Sequence, residues 1–293
     1  MSETLSIWLA LREAADTAAR SVTLTRAIAD ALPLDRPVRI LDLGTGTGSN
    51  VRYLSPRLPV PQQWLLVDRD PTLLAQSPAP TPGCQIETRQ MELGALDDPE
   101  IFSGRHLVTA SALLDLVSQR WLRALAERCR ERGAAALFAL TYNGRSRCSP
   151  EEPEDSAILE LFNRHQRTSD KGFGVAAGPG AVDAAAERFT AAGYHVRREP
   201  SDWIVPADGK PIQRLLIEGW AEASLEIRPA EASMIQRWMS RRLEHVDAGR
   251  SRIVVGHEDL AAWLPSGWNW FQNPWRPASA GLGPPESGHH VGF

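Results

Sequence analysis

A doubly wound α/β sheet of seven strands, with helices ahead of it and a helical insertion before its last strand, is the fold class this sequence predicts. Three observations predict it. A short apolar run, Val38-Arg39-Ile40-Leu41, leads straight into a glycine turn, Gly44, Gly46 and Gly48, and then into a helix start at Ser49 and Asn50. A second apolar run, Gln62 to Asp68, ends in a carboxylate 24 residues after Gly44. From there strand-like and helix-like segments alternate, as a parallel sheet covered on both faces requires.

Taken in order, residues 1–34 open the chain with one or two amphipathic helices, since Leu5, Trp8, Leu9, Leu11, Ala15, Ala18, Val22, Leu24, Ile28 and Leu32 recur at helical spacing. After the first two strands, Pro71 opens a short helix and a Pro-rich loop covers residues 77–83. Cys84 to Arg89 alternates as a third strand, and His106 to Ser111 is a fourth. Gln119 to Arg130 is a helix ended by Gly133, and Ala134 to Thr141 is a nearly continuous apolar fifth strand. Residues 143–179 form a long excursion, expected to be a lid. Val182 to Ala192 is a helix stopped by Gly193, and Tyr194 to Val205 alternates as a sixth strand. Residues 210–249 carry two apolar helical faces, with Trp220 on one and Trp238 on the other. These tryptophans either staple the insertion to the sheet or line a substrate pocket. Arg252 to Gly256 is a short seventh strand. Residues 1–276 read as a single domain, and 277–293, rich in Pro, Gly and Ser and carrying His289 and His290, as a disordered tail.

Composition narrows the function classes. The 293 residues can bury a sizeable core without disulfides or metal staples. Cys84, Cys129 and Cys148 are widely spaced and odd in number, which suits a reducing compartment and no zinc site. The start is polar and the longest apolar run, Ala134 to Leu140, is too short to span a bilayer, so a cytoplasmic location is expected. A net charge of −4 favours neither nucleic acid nor an anionic membrane, and the arginine-rich stretches 120–132 and 237–250 are interleaved with Glu and Asp. Only Lys171 and Lys210 are lysine among the 32 basic residues, a bias we attribute to base composition of the gene.

The chemistry is concentrated around the glycine turn. Glycines let the backbone bend sharply and let a ligand approach where a Cβ would block it. A dinucleotide fingerprint has its third glycine or alanine five positions after the first, and that position is Ser49. Asp42 places an anion at the strand tip, which opposes a pyrophosphate and suits a ligand carrying an amino group. Asp68, at the second strand tip, can accept both hydroxyls of a ribose.

Leu41 to Asn50, LDLGTGTGSN, followed by LLVDRD, resembles the first two motifs of the class I S-adenosylmethionine-dependent methyltransferases, whose sheet is Rossmann-like. The resemblance implies S-adenosylmethionine as cofactor, with Gly44, Thr45, Gly46 and Gly48 under its methionine end, Asp42 near its amino group, and Asp68, flanked by Arg69, on the ribose. By position it also implies Met91 and Glu92 beside the adenine, and Ser111 and Asp115 beside the methionine moiety and the acceptor. Asp115 can equally be a helix-capping carboxylate. No Asn/Asp-Pro-Pro-Tyr/Phe run and no Pro-Cys follows the fourth strand, so methylation of exocyclic base amines and the covalent cysteine route are unsupported.

What remains is direct transfer to oxygen or nitrogen of a small or medium-sized organic acceptor. That chemistry needs alignment and, for a protonated acceptor, a base. His165 is the expected base, with His106 and His257 as secondary choices. Lys171 and Phe173, among the glycines of 172–178, are expected to meet the acceptor from a lid over 163–174. Alternatives are a methyltransferase-like binding or regulatory protein without activity, an NAD-type oxidoreductase, and an RNA methyltransferase.

Overall fold

The computed structural model describes residues 2–265 apart from 95, 97 and 169; the expected tail, with His289 and His290, lies outside the described residues. Two helices lead, α1 (Ser2–Ala19) and α2 (Val22–Ala31), the second capped by the Ser21 hydroxyl, which accepts from the Leu24 amide at 3.1 Å. The units that follow are β1 (Val38–Leu43), α3 (Ser49–Leu54), β2 (Gln62–Asp68), α4 (Pro71–Leu74), β3 (Cys84–Gln90), β4 (Leu107–Ser111) and α5 (Gln119–Arg132). Then come β5 (Ala135–Ser149), α6 (Asp155–Thr168), α7 (Ala181–Ala191), β6 (His195–Pro200), β7 (Trp203–Val205), α8 (Lys210–Ile227), α9 (Ala232–Asp247) and β8 (Arg252–Trp263).

The sheet order is β3-β2-β1-β4-β5-β8-β6, with β7 pairing on β8. Strands β1 to β5 are parallel, and β8 runs antiparallel between β5 and β6. This is the Rossmann-like sheet of the class I methyltransferases. One face is covered by α5 and α7, where Trp121, Phe138 and Phe189 are buried; the other is covered by α2 and α3, where Leu24, Ile28 and Leu54 close the core. A third apolar cluster lies beyond the strand tips, where α6, α8 and α9 pack on an extension of β5 and β8.

That extension differs from the expected short strands. β5 continues eight residues past Thr141 and β8 seven past Gly256. Residues 143–149 are mostly polar and only partly buried, so they carry no apolar alternation, yet Ser146 to Ser149 pair with Val255 to Arg252. In β8 the charged run His257-Glu258-Asp259 hides a strand because Asp259 is buried and satisfied. Its carboxylate accepts from the Ser21 and Leu140 amides, both at 2.8 Å.

The expected single sixth strand divides into β6 and β7, so the sheet has eight strands rather than seven. At the break the Ser201 amide donates to the His257 carbonyl and the Asp202 carboxylate accepts from the His257 amide, each at 3.0 Å. A side chain replaces a backbone acceptor there, and the ladder shifts. The excursion 143–179 is likewise mostly regular structure, holding the end of β5 and all of α6. The insertion 210–249 holds α8 and α9 as expected. Trp238 staples it, its Nε1 donating to Asp155 at 2.8 Å, while Trp220 reaches the central cavity.

Candidate active site

The glycine turn is held from beneath by a buried polar chain. The Asp42 carboxylate accepts from the Thr45 hydroxyl and from Asn50 Nδ2, both at 2.6 Å. Asn50 Nδ2 also donates to Thr109 Oγ1 at 3.1 Å, and Asn50 Oδ1 accepts from Arg20 Nη1 at 2.5 Å. Burial pushes the Asp42 carboxyl up to about 6, against the lowering effect of Thr45 and Asn50. Asp42 is fully buried and does not line the cavity above it. The carboxylate expected near a ligand's amino group has both oxygens engaged in shaping the turn. Thr45 is buried in the same way.

Above this chain lies a cavity of about 1050 Å³. Gly44 and Gly46, at φ +64° and +55°, expose their backbone to it. A Cβ on Gly44 would sit 3.3 Å from Leu113, and one on Gly46 would sit 3.2 Å from Leu9. Gly48 stands one turn away at φ +79°, capping α3. The half-buried Asp68 lies at the β2 tip, accepting from the Gly46 amide at 2.8 Å and the Asp70 amide at 3.0 Å. Each carboxylate oxygen keeps acceptor capacity beyond these bonds. Arg69, Asp70, Met91 and Glu92 line the same end. Three carboxylates against one guanidinium make this end acidic, which suits a cationic ligand and opposes a pyrophosphate. The glycine cradle and the carboxylate at the strand tip thus fit S-adenosylmethionine.

Asp115 lies further along the cavity, in a single helical turn after β4, and is 9% exposed. Burial raises its pKa, opposed chiefly by its own backbone hydrogen bond and by the charge of Lys171. Ser111 is half-buried and does not line the cavity; its neighbour Ala112, at φ +51°, does. Lys171 and Phe173 line it, the latter edge-on to Trp121 with ring centroids 6.1 Å apart.

His165 is not in a loop. It sits on α6 with Nε2 3.0 Å from a Glu226 carboxylate oxygen on α8, and it does not line the cavity. Phe162 and Gln166, four apart on the same helix, do. His165, one position from Gln166, is turned roughly 100° away by the helical repeat. His106 accepts from the Arg39 amide at 3.0 Å, also away from the cavity. His257 lines it.

Sequence reasoning missed much of the far wall. Trp8 and Arg12 share one face of α1, and Tyr142 stands at the end of the apolar part of β5; these spacings were the available signals. Trp203 had none beyond its aromatic character. Arg12 lies 4.9 Å over the Trp203 ring and is paired with Asp16 at 2.9 Å. Among the described residues no cluster of His, Cys, Asp and Glu has the arrangement of a metal site, and no helix is long and apolar enough to cross a membrane.

No family model and no curated protein matches the chain. Solved structures resemble it. The cyclopropane synthase MmaA2 from Mycobacterium tuberculosis is 12% identical over 81% of this chain and 82% of that one, with a TM-score of 0.42. A SAM-dependent methyltransferase from Geobacter sulfurreducens, in complex with S-adenosyl-L-homocysteine, is 13% identical over 87% and 98%, with a TM-score of 0.42. A phosphoethanolamine N-methyltransferase from Haemonchus contortus, in complex with S-adenosyl-L-methionine, is 16% identical over 84% and 53%, with a TM-score of 0.41.

Proposed function

We propose that this protein transfers the methyl group of S-adenosylmethionine to an oxygen or nitrogen of a small or medium-sized organic acceptor. The observation that carries the reading is the single cavity running from Gly44, Gly46 and Asp68, past Asp115, to an aromatic far end. The backbone of Gly44 and Gly46 would carry the methionine part of the cofactor, Asp68 its ribose hydroxyls, and Met91 and Glu92 its adenine. When bound, the cofactor supplies a methyl already activated on a sulfonium.

The chain's own work is alignment, water exclusion and proton management. Phe173 and Trp220 cover apolar sides of the cavity. Asp115 is the group on the wall that can hold a proton taken from the acceptor: its carboxyl is buried and its pKa is raised, both of which favour the protonated form once formed. His165, held by Glu226, is not used.

Titration calorimetry with S-adenosylhomocysteine and with NAD tests the reading. The sulfur nucleoside is expected to bind and NAD is not. Asp68→Ala removes two charge-assisted hydrogen bonds, so affinity should fall roughly 10- to 150-fold. Tight NAD binding without binding of the nucleoside would overturn the proposal, and an unchanged affinity in a folded Asp68→Ala variant would remove Asp68 from it.

A further inference from the structure

The far end of the cavity is walled by six rings in unbroken succession. Trp8 and Trp203 have centroids 6.1 Å apart, Trp203 and His257 4.9 Å, and His257 and Tyr142 6.1 Å. Tyr142 and Phe162 follow at 5.6 Å, and Phe162 and Trp220 at 6.3 Å. All six line the cavity, and they come from α1, β5, α6, β7, α8 and β8, so no single amphipathic element accounts for the arc. Building it required six elements to turn a ring toward one space.

Polar groups in the arc are few. The His257 ring nitrogen Nδ1 is 3.0 Å from the Val255 carbonyl oxygen, which can only accept. Nδ1 therefore carries the hydrogen, and Nε2 presents a lone pair. Burial, then the charge of Arg12, pushes the imidazole down to about 3, so it stays neutral and remains an acceptor. The Tyr142 hydroxyl has its hydrogen committed, donating to Asn163 at 2.9 Å. An aromatic cage of this kind would suit an ammonium group, but Arg12 already occupies the Trp203 face and Lys171 lines the same cavity. An ammonium ligand could reach the Trp203 face only by displacing Arg12, which is held there by Asp16.

Resting on the methyl-transfer reading, we propose that the acceptor is a flat aromatic molecule, neutral or acidic, whose ring lies against this arc and which, besides the group that is methylated, carries an O–H or N–H that donates to Nε2 of His257. His257 is a specificity-determining residue that holds the acceptor without taking its proton. Bulk aliphatic acceptors lose the ring contacts, and cationic ones meet Arg12 and Lys171.

The test is ligand-observed NMR titration of the full chain with three probes, 2-naphthol, 2-methoxynaphthalene and phenyltrimethylammonium, with and without S-adenosylhomocysteine. The expected result is that 2-naphthol binds about 3- to 10-fold more tightly than 2-methoxynaphthalene, the worth of one hydrogen bond, and that phenyltrimethylammonium binds worst. His257→Phe keeps a ring and removes the acceptor; it should abolish the preference while leaving 2-methoxynaphthalene affinity within about two-fold, since the ring contact survives. A merely structural role for His257 would weaken both naphthalenes alike. Equal binding of the two by the unaltered protein, a measurement that depends on no variant, overturns the proposal, as does tighter binding of the ammonium probe. Discrimination without nucleoside binding would leave the chamber standing and sink methyl transfer, whereas nucleoside binding without discrimination would do the reverse.

Discussion

Asp42 and His257 are two buried groups whose titrations oppose each other. The Asp42 carboxyl, at about 6 in the fold, is raised above its ordinary 3.8, mainly by burial. A raised acid stabilises the fold most fully below its unfolded pKa, and that contribution is lost as pH rises through the folded value. On acidification from about pH 6 to 4, Asp42 therefore adds stability, with a slope of about 1.4 kcal/mol per pH unit. His257, lowered from 6.5 to about 3 chiefly by burial, does the opposite: the fold favours its neutral form, and stability is lost as pH falls below 6.5. Across pH 6 to 4 the two slopes nearly cancel. Urea denaturation at several pH values should therefore show Asp42→Asn losing stability more steeply on acidification than the parent, and His257→Phe less steeply. Asn at 42 can still accept from Asn50 and donate to the Thr45 hydroxyl, so the turn survives the change. Parallel curves for all three proteins would show that neither group is titrating in the fold. At this scale the sequence was legible where backbone pattern fixes position: Gly44, Gly46, Asp68, Met91 and Glu92 all reach one cavity. It was not legible for the bracing of the turn by Asp42, which depends on Thr45 and Asn50 of the same turn taking up its oxygens and on Arg20 arriving at Asn50 from between α1 and α2.

Among the elements, the turn between β1 and α3 is the most constrained. Gly48 lies at φ +79° and a Cβ there would stand 2.5 Å from Pro78 Cδ, a rigid ring atom in the loop after α4. Backbone strain and overlap both act against any side chain. Gly48→Ala is expected to destabilise the fold by about 2–4 kcal/mol and to weaken S-adenosylhomocysteine binding by moving Gly46 off its place against Asp68; thermal unfolding and calorimetry on the same sample check both, and a neutral result in both would mean the Pro78 loop yields freely. The strand and helix pattern up to Ala139 could be read from the sequence, since β1, β2, β4 and the start of β5 are buried on nearly every position, and the more exposed edge strand β3 alternates. Legibility failed where β5 and β8 leave the sheet body: residues 143–149 are mostly polar and only partly buried, and of these Cys148 alone joins Ile253 and Val255 in the apolar cluster. It failed again at Ser201 and Asp202, where hydrogen bonds to His257 divide a strand that alternates without interruption in sequence.

At the scale of the whole molecule the cavity is an assembly of distant segments. α1 brings Trp8 and Arg12 from the start of the chain, α8 brings Trp220 from the insertion, and residues 170–175 close the side between them and the β4 end. That last segment is a compact turn rather than a loose strap. The Asp170 carboxylate accepts from the Gly172 and Gly174 amides at 2.8 and 3.0 Å, Asp170 bridges Val175, and Ala176 bridges Ser118. The expected lid over 163–174 thus shrinks, because 163–168 belong to α6. Trypsin separates the two parts. Arg164 and Arg167 lie within the helix, whereas cutting after Lys171 requires the Asp170 turn to open. Lys171 and Phe173 line the cavity, so a ligand that touches them binds the closed turn and not the open one. When opening and closing are fast relative to cleavage, the rate follows the open population, which ligand at 100 times its dissociation constant depresses up to about 100-fold. Mass-resolved proteolysis should therefore show the Lys171 cut slowed strongly by S-adenosylhomocysteine together with an aromatic acceptor, and the helical sites slowed no more than global stabilisation accounts for. Unaltered cleavage after Lys171 under saturating ligand would show that the turn opens independently of the cavity and takes no part in closing it.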